Sequence, residues 1–401
     1  MSFSMNAVNF LMLSVFAIAA FGYVLGRITI KGISLGTAGV FVIALVYGGF
    51  CGVYFNSKFV IEEVNYAAQA LKIVENLGLV FFVTSVGFIA GPSFFKNMKQ
   101  NFKSYVLLGV VIILSGGLAA VVCILVGRVV ESGTDPKQLT AIITGLLSGA
   151  LTSTPAFSAT KEAVAAQYQD AVTVGYGIAY LFGVIGVVLF VQLMPRIVHA
   201  DMAEEVRKIT HVETGGDVPK YKGKLLEFDD FGFTPFAAAA VLGILIGSVK
   251  LFGFFSLTTT GGTLLVSLVF GHFGHVGRAD LMPSKKVLET FRELGLMVFL
   301  IGAGVSGGMS FVRYFKPIYF VYGVVMTLLP MILGYLVAKH VLKLNLLNIL
   351  GSITGGMTST PALGTLIHVA GTSNVASAYA ATYPIALIAV VLVTQFLVRV
   401  F

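Results

Sequence analysis

The residues best placed to do chemistry are a cluster of hydroxyls beside a proline, and the cluster occurs twice. Residues 148–157 read SGALTSTPAF and residues 354–363 read TGGMTSTPAL, with Thr-Ser-Thr-Pro-Ala intact in both. Each copy interrupts an apolar stretch. A proline among hydroxyl residues breaks a helix and frees backbone groups, which a membrane tolerates only where they line a cavity or are buried in protein. Matched interruptions in two halves of a chain point to a transporter binding site. Threonine is a good N-cap and proline suits the first helical position, so Thr154 with Pro155, and Thr360 with Pro361, are expected to start a second helix in each copy. A helix that begins inside a membrane turns its free N–H groups and positive dipole end into the cavity, an anion-binding device that needs no cationic side chain. Two such ends suit a substrate with two carboxylates. Thr152, Ser153 and Thr154, with Thr358, Ser359 and Thr360, offer hydroxyls to carboxylates or an amino group, and Gly149, Gly355 and Gly356 let backbone come close. The bland alternative is a kink whose hydroxyls satisfy local backbone; two matched copies weaken it.

Other candidates carry less. Tyr176 and Tyr180 share a helix face, as do Tyr379 and Tyr383 near Pro384; they line a substrate path or serve as packing and interfacial anchors. Thr84 and Ser85 interrupt the third apolar segment, and Ser306 sits among Gly302, Gly304, Gly307 and Gly308, where close helix packing is the favoured reading. Glu75 and Glu293 open the third and ninth segments, where a solvated or dipole-favoured carboxylate is the default. No acid falls clearly at mid-membrane, so a carboxylate proton relay lacks a carrier. Coupling to Na+ through carbonyls and hydroxyls, or obligatory exchange, is then expected. His272 and His275 lack a third metal ligand. No cofactor is implied. Hydrolase motifs are absent from the sequence, and serines without a nearby base are poor nucleophiles, so an enzyme is not expected. A channel would show charge rings or a carbonyl filter instead.

The elements that must position these residues are membrane helices. Of 401 residues 57% are hydrophobic and 11% charged, with a mean hydropathy of +0.94, and apolar runs recur along the whole length, which excludes a soluble globular chain and implies an all-α polytopic membrane protein. The net charge of +8 is then loop charge that orients helices, not a nucleic-acid footprint. Six segments fall near 6–26, 35–55, 70–91, 104–130, 138–166 and 171–195, and six more near 232–251, 257–275, 288–310, 317–342, 346–370 and 374–399. The halves match beyond the TSTPA copies: 34–48 resembles 256–271, and NLGLVFF at 76–82 resembles ELGLMVF at 293–299. The expected plan is a first membrane repeat at 1–195, a cytoplasmic linker at 196–230 and a second membrane repeat at 231–401.

In the fifth and eleventh segments the pieces flanking TSTP, about 14 and about 12 residues long, are each too short to cross a ~30 Å core. They stack into one broken crossing or fold back as a re-entrant hairpin. Positive charge favours the hairpin, because five crossings per half, with both termini outside, place Lys96, Lys99, Lys103, Arg278, Lys285, Lys286, Arg292 and the basic 196–230 loop on one side. Arg313 and Lys316 oppose this count. Two inverted repeats follow, with Lys161 at the outer face.

The paired G-x-x-T-x-T-P-A segments at 149–156 and 355–362, one near the end of each half, resemble the aspartate:alanine exchanger family. The resemblance implies a bacterial inner-membrane secondary transporter of amino acids or dicarboxylates that works by exchange. Many members carry two regulatory domains between the halves, which the 196–230 loop is too short to hold. The glutamate:sodium symporter family is similar in plan, and it implies sodium-coupled symport as the alternative. Both imply an elevator mechanism on a scaffold that often forms a homodimer, with the hairpins and segments 3, 4, 6, 9, 10 and 12 in the moving part.

Overall fold

The computed structural model describes residues 6–30, 33–34, 36–61, 64–100, 102–208, 225–251, 255–256 and 258–401. Lys220, Lys222 and Lys224 of the expected linker lie outside these residues. The first half builds α1 (Ala7–Arg27), α2 (Ala38–Lys58), α3 (Ala67–Gln100), α4 (Leu107–Val130), α5 (Pro136–Ala150), α6 (Thr154–Ala163) and α7 (Gln169–Ile197), followed by the short α8 (Met202–Arg207). The second half builds α9 (Phe233–Ser248), α10 (Thr258–Phe273), α11 (Lys285–Tyr314), α12 (Ile318–Leu336), α13 (Leu346–Gly356), α14 (Thr360–Ala370) and α15 (Ala376–Val400). Setting α8 aside, the order of elements in one half repeats in the other. Even the short antiparallel β-ribbons, which the sequence reading did not foresee, recur in place: β1–β2 (Thr29–Ile30, Ile33–Ser34) and β5–β6 (Lys250–Leu251, Phe255–Ser256) join the first two helices of each half, while β3–β4 (Val60–Ile61, Val64–Asn65) and β7–β8 (His275–Val276, Ala279–Asp280) join the next pair.

Among the described residues, eight helices are long and apolar enough to cross a membrane: α1, α2, α3, α4, α7, α11, α12 and α15. The chain is therefore a multi-pass membrane protein. Large side chains such as Phe16, Phe50 and Val53 stand exposed on α1 and α2, as lipid-facing residues do when the helix backbone satisfies its own polar groups.

The two TSTP segments reverse the chain. In the first, a Cβ on Gly145 would lie 2.2 Å from the Val172 carbonyl oxygen, and one on Gly149 would lie 2.5 Å from that of Tyr176. Ascending numbers on α5 thus meet ascending numbers on α7, so the two helices run parallel and α6 returns between them. Tyr168, just before α7, donates to the carboxylate of Asp135, the N-cap of α5, closing the base of the excursion. The second segment repeats this: Gly351 abuts the Val375 carbonyl and Gly355 that of Tyr379, so α13 runs parallel to α15. Each segment is a helical hairpin, not a stacked broken helix. Its glycines are needed because backbones approach too closely for a side chain.

The helices pack in two groups. In one, α1 lies on α2, α2 on α11, α11 on α3, α3 on α10, and α10 on α9. In the other, α5 lies on α7, α13 on α15, and α4 on α12, while α6 reaches α15 and α14 reaches α7. The packing is reciprocal. Where α3 meets α10, its counterpart α11 meets α2; where α4 meets α15, α12 meets α7. These contacts thus recur between corresponding helices of the two halves.

Candidate functional site

At each hairpin tip a helix ends and another begins within three residues. Ser153 N–H bonds the Ser148 carbonyl at 2.9 Å and Thr152 N–H bonds that of Gly149 at 2.9 Å; Ser359 and Thr358 repeat the pattern onto Thr354 and Gly355, both at 3.0 Å. This is a Schellman closure, which normally puts glycine in the left-handed position. Here threonine takes it, with φ 52° at Thr152 and 50° at Thr358. A β-branched residue at positive φ is a true outlier, costing about 1–3 kcal/mol, and such strain gathers at functional sites.

The hydroxyls explain why threonine is kept. Thr152 Oγ1 donates to the Met357 carbonyl at 2.8 Å, and Thr358 Oγ1 donates to the Leu151 carbonyl at 2.8 Å. Leu151 and Met357 hold matching places in the two copies, so the tips meet through one interaction made twice. The N-cap of the returning helix is Ser153, whose Oγ accepts from Ala156 N–H at 3.3 Å, and its counterpart is Ser359. The expectation of Thr154 and Thr360 as caps is off by one residue. Threonine 152 leaves in the left-handed region, so the following serine is the first residue free to turn its oxygen onto the new helix.

Beside the tips lies a cavity of about 320 Å³. From the hairpin group it is lined by Thr152, Thr154, Pro155 and Thr358 at the tips, and by Tyr180, Tyr383 and Leu387 behind them. The rest of the lining is Phe82 and Val86 of α3, Arg292, Glu293 and Leu296 of α11, and Gly36 and Thr37 before α2. Arg292 is a finding against expectation. It lies in the third turn of α11, not in a cytoplasmic loop, and gives the cavity a guanidinium. Glu293 Oε1 accepts from its Nη2 at 2.8 Å and Nε at 3.3 Å, with the side chains 34% and 48% exposed. Among the described residues its hydrogen bonds go to this sequence neighbour alone, and an arginine so held at a wet surface can exchange that partner for a planar anion.

The other candidates fall around this site. Gly149 and Gly355 face the backbones of α7 and α15, and Gly356 faces Ile112 of α4, so these glycines serve helix packing. Ser153 and Ser359 are fully buried, Ser359 Oγ having no hydrogen-bond partner. Thr360 and Pro361 open α14; their side chains lie outside what is described. Tyr176 stands behind Tyr180, its hydroxyl 3.2 Å from Thr154 Oγ1 and its ring stacked on Phe157 at 4.1 Å and Tyr180 at 4.9 Å. Tyr379 stacks on Tyr383 at 5.2 Å. Ser85 donates to the Phe81 carbonyl at 2.7 Å, Thr84 Oγ1 is buried without a partner, and Ser306 donates to Asp170 at 3.1 Å. Gly302, Gly304, Gly307 and Gly308 abut Glu75, Ala44, Thr173 and Leu45, which is the close packing foreseen. One charged residue departs from expectation: Glu75 is buried, not solvated, because Lys161, itself buried, pairs with it at 2.9 Å.

Relatives bear transporter names. An "uncharacterized transporter" of Bacteroides thetaiotaomicron is 26% identical over 543 aligned positions, covering 95% of this chain and 97% of the relative. One of Bacteroides fragilis is 27% identical over 548 positions, covering 96% and 98%. A "putative transport protein" of Edwardsiella ictaluri is 32% identical over 170 positions, covering 40% of this chain and 31% of its own. The two Bacteroides alignments exceed the 401 residues of this chain, so those relatives carry segments without a counterpart here. A family model described as "predicted permease membrane region" matches residues 14–196 and 235–399, and with both hairpin tips inside the matched regions the chain belongs to that family, the aspartate:alanine exchanger permeases.

Proposed function

We propose that the protein is a secondary active transporter that exchanges small carboxylates, such as aspartate or another amino acid or dicarboxylate, across the bacterial inner membrane. The observation that carries this reading is the meeting of two matched hairpin tips at one cavity that also holds Arg292. The positive dipole end of α6, where Thr154 and Pro155 line the cavity, and the guanidinium of Arg292 in the same lining are two anion-binding devices of different kinds. The reciprocal packing of α3 on α10 and α11 on α2 supports inverted repeats, and the basic loops support both termini outside.

The same packing supports an elevator in which α4–α7 with α12–α15 move against α1–α3 with α9–α11. This division puts α3 and α11 in the scaffold, where the sequence reading had them in the moving part, because both pack chiefly on α2, α10 and each other. The family resemblance adds a homodimer, which mass measurement of the purified protein checks.

The test is uptake of labelled aspartate, glutamate, succinate and alanine into proteoliposomes, with and without sodium and with and without internal substrate. Saturable uptake that needs internal substrate supports exchange, and dependence on Na+ without internal substrate selects symport. Non-saturating conductive flux without counter-transport overturns the carrier reading.

A further inference from the structure

The charges that the cavity does not use gather along one side of the first hairpin. Lys161, in the last turn of α6, puts Nζ 2.9 Å from Glu75 Oε2 on α3, with side chains 3% and 5% exposed. Glu75 Oε1 lies 3.6 Å from the half-exposed ammonium of Lys72, which also donates to Gln169 Oε1 at 3.3 Å. Nearby, Thr260 of α10 donates its N–H to Glu162 at 3.1 Å and sits 3.3 Å, Oγ to Oγ, from Ser158 of α6. Asp170, at the start of α7, accepts from Ser306 at 3.1 Å and Ser310 at 2.6 Å on α11. Apart from Lys72 with Glu75, both on α3, each of these contacts joins the hairpin group to the scaffold group.

A buried pair differs from a surface one. Removing either partner leaves an uncompensated charge in an apolar surround, far costlier than losing an exposed pair. An ionisable residue among membrane helices is a functional hypothesis by default, with its partner named.

The second half has no matching pair. Aligning the TSTP copies puts Ile367 at the place of Lys161, and aligning NLGLVFF with ELGLMVF puts Arg292 at the place of Glu75. The arrangement is lopsided as well: α6 packs on α10, while α14 makes no contact of that extent with α2 among the described residues. Were the second hairpin to seat itself on α11 as the first sits on α3, an isoleucine would face an arginine.

We propose that Lys161 and Glu75 form a latch that positions α6 against α3 in one end state of transport, and that the opposite end state has no such latch. The pair consists of positioning residues: it touches no substrate and sets which state the empty carrier occupies. This rests on the moving-bundle reading above.

The experiment replaces Cys51 and Cys123 and introduces Ser158→Cys with Thr260→Cys, whose side chains meet in the latched state. The rate of oxidative crosslinking in proteoliposomes then reports that state without any substrate. Glu75→Gln, Lys161→Met, the double variant Glu75→Gln/Lys161→Met and the exchanged pair Glu75→Lys/Lys161→Glu are compared in this background. The expected result is a crosslinking rate reduced roughly tenfold in the neutralised variants and largely restored by the exchanged pair. If a single variant fails to fold, the double variant and the exchanged pair, the latter carrying Lys72→Gln so that no ammonium faces the new lysine, still decide, since neither leaves a buried charge unpaired. Wild-type crosslinking in a monodisperse double variant, or an exchanged pair no faster than the double variant, overturns the latch. The moving-bundle reading fails separately, if crosslinked protein carries labelled aspartate or succinate as fast as reduced protein.

Discussion

Thr152 offers a sharp test because two opposing effects meet in one residue. Its backbone sits at φ 52°, which costs about 1–3 kcal/mol for a β-branched side chain. Its hydroxyl donates a 2.8 Å bond to the Met357 carbonyl of the opposite tip, and losing a buried bond of this kind costs about 1–3 kcal/mol. Thr152→Val keeps the shape and the strain but loses the bond, so it is expected to destabilise the fold by about 1–3 kcal/mol. Thr152→Gly loses the same bond yet releases the strain, so those two effects cancel and the net loss is about 0.5–1 kcal/mol for the freedom glycine gains when unfolded. Thr152→Ser keeps the bond and gives up one methyl, about 0.8 kcal/mol. The expected order of stability therefore has serine and glycine above valine, although valine is the closest in shape. Thr358 should give the same order, and the two valine changes together should depart from additivity by about 0.5–3 kcal/mol because they dissolve one shared contact. Unfolding free energies from denaturant titration of the purified protein in detergent measure this series. A valine variant as stable as the parent, or more stable than the glycine variant, would refute the claim that the cross-tip hydroxyl keeps threonine in a glycine conformation.

Arg292→Gln should abolish saturable uptake of a dicarboxylate while Arg292→Lys keeps part of it, since lysine retains the charge but not the planar fork; equal uptake by all three proteins would remove Arg292 from the site. Gly149→Ala puts a Cβ 2.5 Å from the Tyr176 carbonyl oxygen and 2.8 Å from Tyr180 N, so α5 and α7 must part, at about 1–3 kcal/mol in the same titration. Gly133→Ala meets nothing within 4 Å and serves as the neutral control. Asp229, before α9, accepts from the N–H groups of Phe231, Phe233 and Thr234 at 3.1, 2.8 and 2.7 Å. These bonds, those of Thr234 first, hold its carboxyl down at about 2. Because the folded value lies below the usual ~3.9, its stabilisation is complete above about pH 4 and is lost as pH falls towards about 2. Hydrogen exchange at the start of α9 should quicken over that range, and in Asp229→Asn the acceleration should be present already at neutral pH.

What the sequence discloses and what it conceals divide along a physical line. The two chain reversals are legible because a proline and three hydroxyls cannot continue an apolar helix, and because basic loops choose a side. The N-cap falls one residue earlier than expected because no propensity foresees threonine in a left-handed turn; only the opposite tip, carrying the Met357 carbonyl, makes that conformation tolerable. Glu75 and Arg292 are misread for a related reason. Each precedes a long apolar run, where a charge looks like the end of a membrane segment, and what alters that reading is far off in sequence: Lys161 for Glu75, and the cavity lining shared with Thr154 for Arg292. Repetition reveals whatever the two halves share, the tips above all. It is silent on what they do not share. Threonines 152 and 358 are alike and build a contact that reads the same from either half, so they cannot favour one end state over the other. Glu75 against Arg292, and Lys161 against Ile367, are unlike, and a carrier assembled from two nearly equivalent halves acquires a preferred state only through such differences.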